Sequence, residues 1–125
     1  VLAHPEIYTF VQSEPELVYD LIQKGVLMQC NYGSIIGQYG KKAQIIVKKI
    51  YENNMVHFLG TDVHKQNTIY ERIPEILPQI SEIIGEEKLK EITTMNAQKV
   101  LENKRIDIDE PKQIKLSLKE KIILK

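Results

Sequence analysis

The sequence predicts an α/β fold built on parallel strands, and two patterns carry that expectation. Three short apolar runs, Val1 to Ala3, Val26 to Asn31 and Val56 to Leu59, alternate with stripes of helical period, and no run body carries a charged side chain. Polar residues gather instead where each run stops: His4 after the first, Asn31 at the end of the second, and Gly60 to His64 after the third. A β-α-β-α-β order implies parallel strands joined by right-handed helical crossovers. Chemistry in such sheets collects at the C-terminal edge of the strands.

Val1 to Ala3 reads as a short buried strand ending at His4-Pro5, where Pro5 keeps His4 out of helical geometry and closes the ladder. Ser13 and Glu16, with Pro15 between them, read as a capping box. Leu17, Val18, Leu21 and Ile22 then repeat at helical spacing, and Gly25 after Lys24 is the stop. The second strand follows at once, through the kind of short connection a wound fold needs. Gly33, Gly37 and Gly40 punctuate the next stretch, after which Ala43, Ile46, Val47, Ile50 and Tyr51 mark one face of a helix to about Asn53.

Beyond the third strand, Ile73, Ile76, Leu77, Ile80, Ile83 and Ile84 form a core-facing stripe, with Pro74 near its start, Pro78 a turn further in and Gly85 as its end. Glu86 to Thr94, carrying Leu89 and Ile92, is expected as a further helix, and Asn96 as the cap of a last short one containing Val100 and Leu101. From Asn103 the pattern fails. Seven Lys and Arg there face four Asp and Glu, so residues 104–125 are expected as a basic tail or extension beyond a main unit at 1–103.

The 125 residues suit one domain with a modest core. Seventeen basic residues balance seventeen acidic ones, so the overall charge asks for neither nucleic acid nor an anionic membrane. No apolar run is long enough to span a bilayer and no export leader is recognisable. The lone Cys30 cannot pair within the chain, which makes a reducing cytoplasm the expected location. Because Val1 to Ala3 reads as a strand from the first residue, a further N-terminal portion is expected upstream.

Side chains two apart on an extended segment point the same way, so Asp62 and His64 can close on one ion. An oxygen-plus-nitrogen pair suits manganese, iron or zinc better than calcium. A polar loop with Asp62 capping a turn and His64 solvated is the blander reading. His4 and Asn31, at the ends of neighbouring strands, raise the metal reading above it. Asn31 either orients a ligand or ties down its loop. His57 faces away from Asp62 by parity and is expected to be packed and hydrogen-bonded. Cys30 reads as a small buried hydrophobe. The amides of Gly37 and Gly40 are either turn groups or a phosphate cradle.

With His4 and the Asp62/His64 pair in place, further residues fall into a pattern: Leu2-Ala3-His4-Pro5-Glu6-x-Tyr8, Gln29-x-Asn31 with Ser34, Gly37 and Gly40, then Gly60-Thr61-Asp62-x-His64, and Asn96-Ala97-x-x-Val100-Leu101. Over about Val1 to Asn103 this resembles the bacterial capsule-associated tyrosine phosphatases of the polymerase-and-histidinol-phosphatase (PHP) superfamily. The resemblance implies a partial (β/α) barrel of PHP type, with three strands in this chain followed by C-terminal helices. It also implies a metal cluster, usually manganese, with His4, Asp62 and His64 on ligand positions and the remaining ligands, including a His-x-His pair, in an upstream half. Two departures stand out. Ile7 occupies a position where the family usually has Arg, and Lys65 one where it usually has Asn. Ile7 cannot make the forked hydrogen bonds by which Arg clamps phosphate.

The implied reaction is metal-dependent hydrolysis of a phosphoester without a covalent protein intermediate. Asn31, Lys65 and Arg72 are the candidates for phosphate contacts, although Lys65 and Arg72 read more readily as solvated charges. The implied substrate is a phosphotyrosine protein, a capsule-regulating tyrosine kinase being the implied partner. Two alternatives stand beside it: another phosphoesterase of the superfamily, of the histidinol-phosphate type, or a non-catalytic module binding a partner, or a second copy, through an open sheet edge.

Overall fold

The computed structural model describes residues 1–61 and 69–125. Among these, β1 (Leu2–Ala3), β2 (Met28–Asn31) and β3 (Phe58–Gly60) form a parallel sheet in the order β1-β2-β3. Ala3 is level with Gln29, and Asn31 with Gly60. The α/β class and the parallel strands are therefore as expected, each strand being shorter than its apolar run.

A short 3-10 turn (Pro5–Ile7) and α1 (Thr9–Ser13) precede α2 (Glu16–Gln23). The expected capping box does not form. Ser13 ends α1, and Pro15, already in right-handed helical conformation, leads directly into α2 with no side-chain cap. Proline tolerates that place because its fixed φ suits a first turn that has no N–H partner. The stop at Gly25 is as read: at φ +93° it lets its own N–H reach the Ile22 carbonyl and that of Val26 reach Leu21.

A second 3-10 turn (Tyr32–Ile36) leads from β2 to α3 (Lys41–Glu52), whose Ala43, Ile46, Val47, Ile50 and Tyr51 are all buried. The next helix, α4 (Ile69–Ile84), begins before its apolar stripe, so Pro74 lies inside it and not at its start. Ile76 and Ile80 of that stripe are fully buried. α5 (Glu86–Lys90), a π-helical turn (Glu91–Met95) and α6 (Asn96–Leu101) follow without a break. Asn96 is not a cap: its backbone is helical and its buried Nδ2 donates to the His57 carbonyl at 2.9 Å.

Residues 104–125, read as a basic tail or extension, are attached and not loose. The N–H of Lys112 donates to the Asn53 carbonyl at 2.9 Å, Asn54 donates to the Glu110 carbonyl, and Lys88 pairs with Asp109 at 3.0 Å. The chain closes with α7 (Leu118–Leu124), capped by Ser117 and Glu120, and Leu124 joins the same core as Met28, Cys30, Ile46 and Ile80. No described helix is long and apolar enough to cross a membrane.

Candidate metal centre

Three strand ends meet along one edge of the sheet. The N–H of His4 continues the ladder onto the Gln29 carbonyl at 2.6 Å, and His4 then turns into left-handed conformation at φ 40° and ψ 57°. Proline next in sequence disfavours the right-handed helical region, and the left-handed one is uncommon without glycine, at a cost of roughly 1–2 kcal/mol. Both backbone groups of His4 are tied while it holds this shape, since its carbonyl accepts from Ile7 at 3.1 Å. Its imidazole packs on Tyr8, ring centres 5.2 Å apart, and its Nδ1 is buried with no partner among the described residues.

Glu6, quoted in the sequence pattern but given no role there, is fully buried beside this edge. Its Oε1 accepts from the Asn31 N–H at 2.8 Å and from the Ser34 hydroxyl at 2.7 Å, while Oε2 has no described partner. Burial raises its pKa, and the donated hydrogen bonds offset this in part. The signal for such a role is a lone carboxylate three residues past a strand's end, but its partners lie at the end of β2 and in the turn after it, out of reach of local pattern.

Asn31 sits at the end of β2 between the exits of β1 and β3, its side chain buried and Nδ2 unpartnered among the described residues. With strands about 4.8 Å apart, the exits of β1 and β3 lie roughly 10 Å apart across it. Gly60 closes β3, where an added Cβ would run into the amide of Gln29. Asp62, His64 and Lys65 lie outside the described residues, and of the expected site His4 and Asn31 lie at the ends of neighbouring strands on this edge.

Arg72, on α4, is half-exposed and forks onto Glu75, with Nε 3.3 Å and Nη2 3.2 Å from its two carboxylate oxygens. The amides of Gly37 and Gly40 donate to the carbonyls of Ser34 and Gly37, so these glycines turn the chain and do not cradle phosphate. Cys30 is wholly buried, and burial pushes its thiol well up, followed by the nearby Glu6 charge. His57 is packed as read. Its Nδ1 accepts from the Met28 N–H at 2.9 Å, and its pKa falls to about 4, chiefly through burial and secondarily through Lys88.

As a donor set, His4 fits a borderline metal: a buried imidazole nitrogen without a described partner, at a strand exit. Among the described residues no three His, Cys, Asp or Glu side chains gather closely enough to hold an ion.

The fold and this edge define a wound parallel α/β protein with its polar groups at the C-terminal ends of the strands. Within that class the family is identified: a profile described as "Capsular polysaccharide synthesis, CpsB/CapC" matches residues 1–102, and the chain belongs to that family. It is similar to tyrosine-protein phosphatase YwqE of Bacillus subtilis strain 168, 32% identical over 115 residues that cover 92% of this chain and 45% of YwqE. It is also 29% identical over 108 residues to tyrosine-protein phosphatase CpsB of Streptococcus agalactiae serotype V, covering 82% of this chain and 44% of that protein. A solved structure from work on YwqE of B. subtilis and CpsB of Streptococcus pneumoniae, described as metal-dependent tyrosine phosphatases, superposes with a TM-score of 0.80. That match is at 31% identity and covers 91% of this chain and 46% of the other. The chain thus spans about half the length of the relatives it matches.

Proposed function

We propose that this chain supplies part of the site of a metal-dependent phosphoester hydrolase acting on phosphotyrosine in proteins, in the service of capsular polysaccharide synthesis. The observation that carries the reading is the His4 imidazole, turned at a strand exit and buried at Nδ1 without a described partner. Membership of the CpsB/CapC family and the names of its tyrosine-phosphatase relatives support it. His4, Asp62 and His64 would hold the metal, manganese before iron or zinc, and the sheet would form part of a PHP-type barrel. Manganese, when bound, supplies Lewis-acid polarisation of the phosphoester. His4 offers its nitrogen in a backbone shape fixed by Gln29 and Ile7, and Glu6 holds the β2 exit beside it. Asn31 and Lys65 remain candidate phosphate contacts, and Arg72 would have to leave Glu75 to become one. Residues 1–103 would form the phosphatase portion, with 104–125 its extension. A capsule-regulating tyrosine kinase in the cytoplasm is the partner this reading names.

Manganese content and phosphotyrosine hydrolysis test it. The full chain is expected to bind manganese, and both His4→Ala and His64→Ala to release it and lower any hydrolysis at least ten-fold. Metal content unchanged in both variants would sink the proposal.

A further inference from the structure

We propose that Tyr8 and Phe10 form a ledge that receives the ring of an aryl phosphate whose phosphoryl group sits at His4, giving the site a preference for aryl over alkyl phosphoesters. The inference rests on the phosphatase reading and names its specificity residues. The row starts at the candidate ligand itself. The His4 and Tyr8 rings lie 5.2 Å apart at 42°, and Tyr8 and Phe10 5.3 Å apart at 18°, a stacked pair. Tyr8 is packed against the core and Phe10, in the first turn of α1, is 50% exposed.

The row is held to His4 by backbone as well as by ring contact. The N–H of Ile7 bonds the His4 carbonyl, and that of Tyr8 bonds the Pro5 carbonyl. Its inner end is therefore anchored and its outer ring is open to solvent. Aromatic rings pair favourably with centroids about 4.5–7 Å apart, and the exposed Phe10 ring has a face free to do so. Ile7, between His4 and Tyr8, brings no cation to grip a phosphoryl group, so selectivity on this side comes from stacking and not from charge. An aryl ester carries its ring one oxygen from phosphorus and so has a ring to offer the ledge, whereas phosphoserine has none.

The chain has two phenylalanines, and the other, Phe58 on β3, is buried. Phenylalanine-selective isotope labelling therefore gives a reporter ring and an internal control. The zinc-loaded full chain, zinc being diamagnetic, would be titrated by NMR with inorganic phosphate, phosphoserine and phosphotyrosine. Phosphotyrosine is expected to shift the Phe10 ring signals and leave Phe58 in place, and the other two to shift neither. Phe10→Ala, at an exposed position, is expected to weaken phosphotyrosine about three- to ten-fold, with phosphate and phosphoserine unchanged. Equal weakening of all three, or phosphotyrosine binding with Phe10 unmoved, overturns the ledge and leaves the phosphatase reading standing. If none of the three binds, the ledge is overturned for this chain, while the phosphatase reading, in which the chain supplies part of the site, is decided by the metal content of the His4 and His64 variants.

Discussion

The carboxylate of Glu6 takes the backbone N–H of Asn31 at 2.8 Å, joining the exit of β1 to that of β2 across 25 residues of sequence. The same oxygen accepts from Ser34 in the middle of the turn toward α3. One buried side chain thus sets how the edge that holds His4 sits against the edge that holds Asn31. Glu6→Ala leaves two buried donors unpaired, at about 1–3 kcal/mol each. A loss of about 2–4 kcal/mol is expected by urea denaturation. Glu6→Gln keeps an acceptor oxygen in place and is expected to cost less than half as much; equal losses would show that the hydrogen bonds do not hold the edge.

His57 links stability to acid. Its Nδ1 is already occupied by the Met28 N–H, and burial with nearby Lys88 brings its pKa from 6.5 to about 4, while Glu91 and Asp109 oppose that fall. A depressed histidine pKa means the unfolded chain binds the proton more readily. The contribution is therefore complete above pH 6.5 and drains away as pH falls toward about 4. Over that window the loss is on the order of 3 kcal/mol. Unfolding in urea at pH 7, 5.5 and 4.5 measures it, and His57→Gln, whose carbonyl can still accept from Met28, is expected to flatten the slope. A slope that persists in the variant would assign it to other groups.

Asn96 donates to the carbonyl of the same His57 from the start of α6, 39 residues on. Asn96→Ala leaves that carbonyl dry and unpaired, for an expected loss of about 1–3 kcal/mol. Asn96→Asp is expected to be worse at pH 7, because a carboxylate cannot donate and sets a negative charge against a carbonyl oxygen. Thermal melts of the two variants side by side decide it, and an aspartate variant as stable as the alanine one would sink the hydrogen-bond account.

The contrast between Asn96 and Gly25 shows what the sequence could disclose. A glycine after a periodic stripe marks a helix end through its own backbone, so α2 and its stop were legible, as was the buried face of α3. Asn96 looks like a cap locally, but its partner, His57, lies just before β3, and no spacing within the helix points there. At the candidate site, His4 was legible because Pro5 marks the strand exit. Glu6 and Tyr8 acquire their roles from Asn31 and from a ring contact, both set by tertiary packing. The Ser13 and Glu16 pair had the right spacing and failed because α1 occupies Ser13 first.

The extension from 104 to 125 lacks a sustained period, yet its last turn completes the core, and this yields the sharpest stability test. Leu124 is 6% exposed among core residues, while Leu118 and Ile122 of the same helix stay in solvent. Leu124→Ala is expected to cost about 2–4 kcal/mol, as for other buried leucines, and Leu118→Ala close to nothing. The cap contributes less: Ser117 accepts from the Glu120 N–H at 3.1 Å while Glu120 accepts from Ser117, and Ser117→Ala is expected to cost about 1 kcal/mol. The Lys49 to Glu120 contact at 3.1 Å lies near the surface and is expected to contribute under about 1 kcal/mol, fading with salt. Urea unfolding of the four variants, the fourth being Lys49→Met, should therefore rank them Leu124 first, Ser117 second, Lys49 third and Leu118 last. If Leu124→Ala unfolded no more readily than Leu118→Ala, the extension would be a strap lying on the fold and not part of its core.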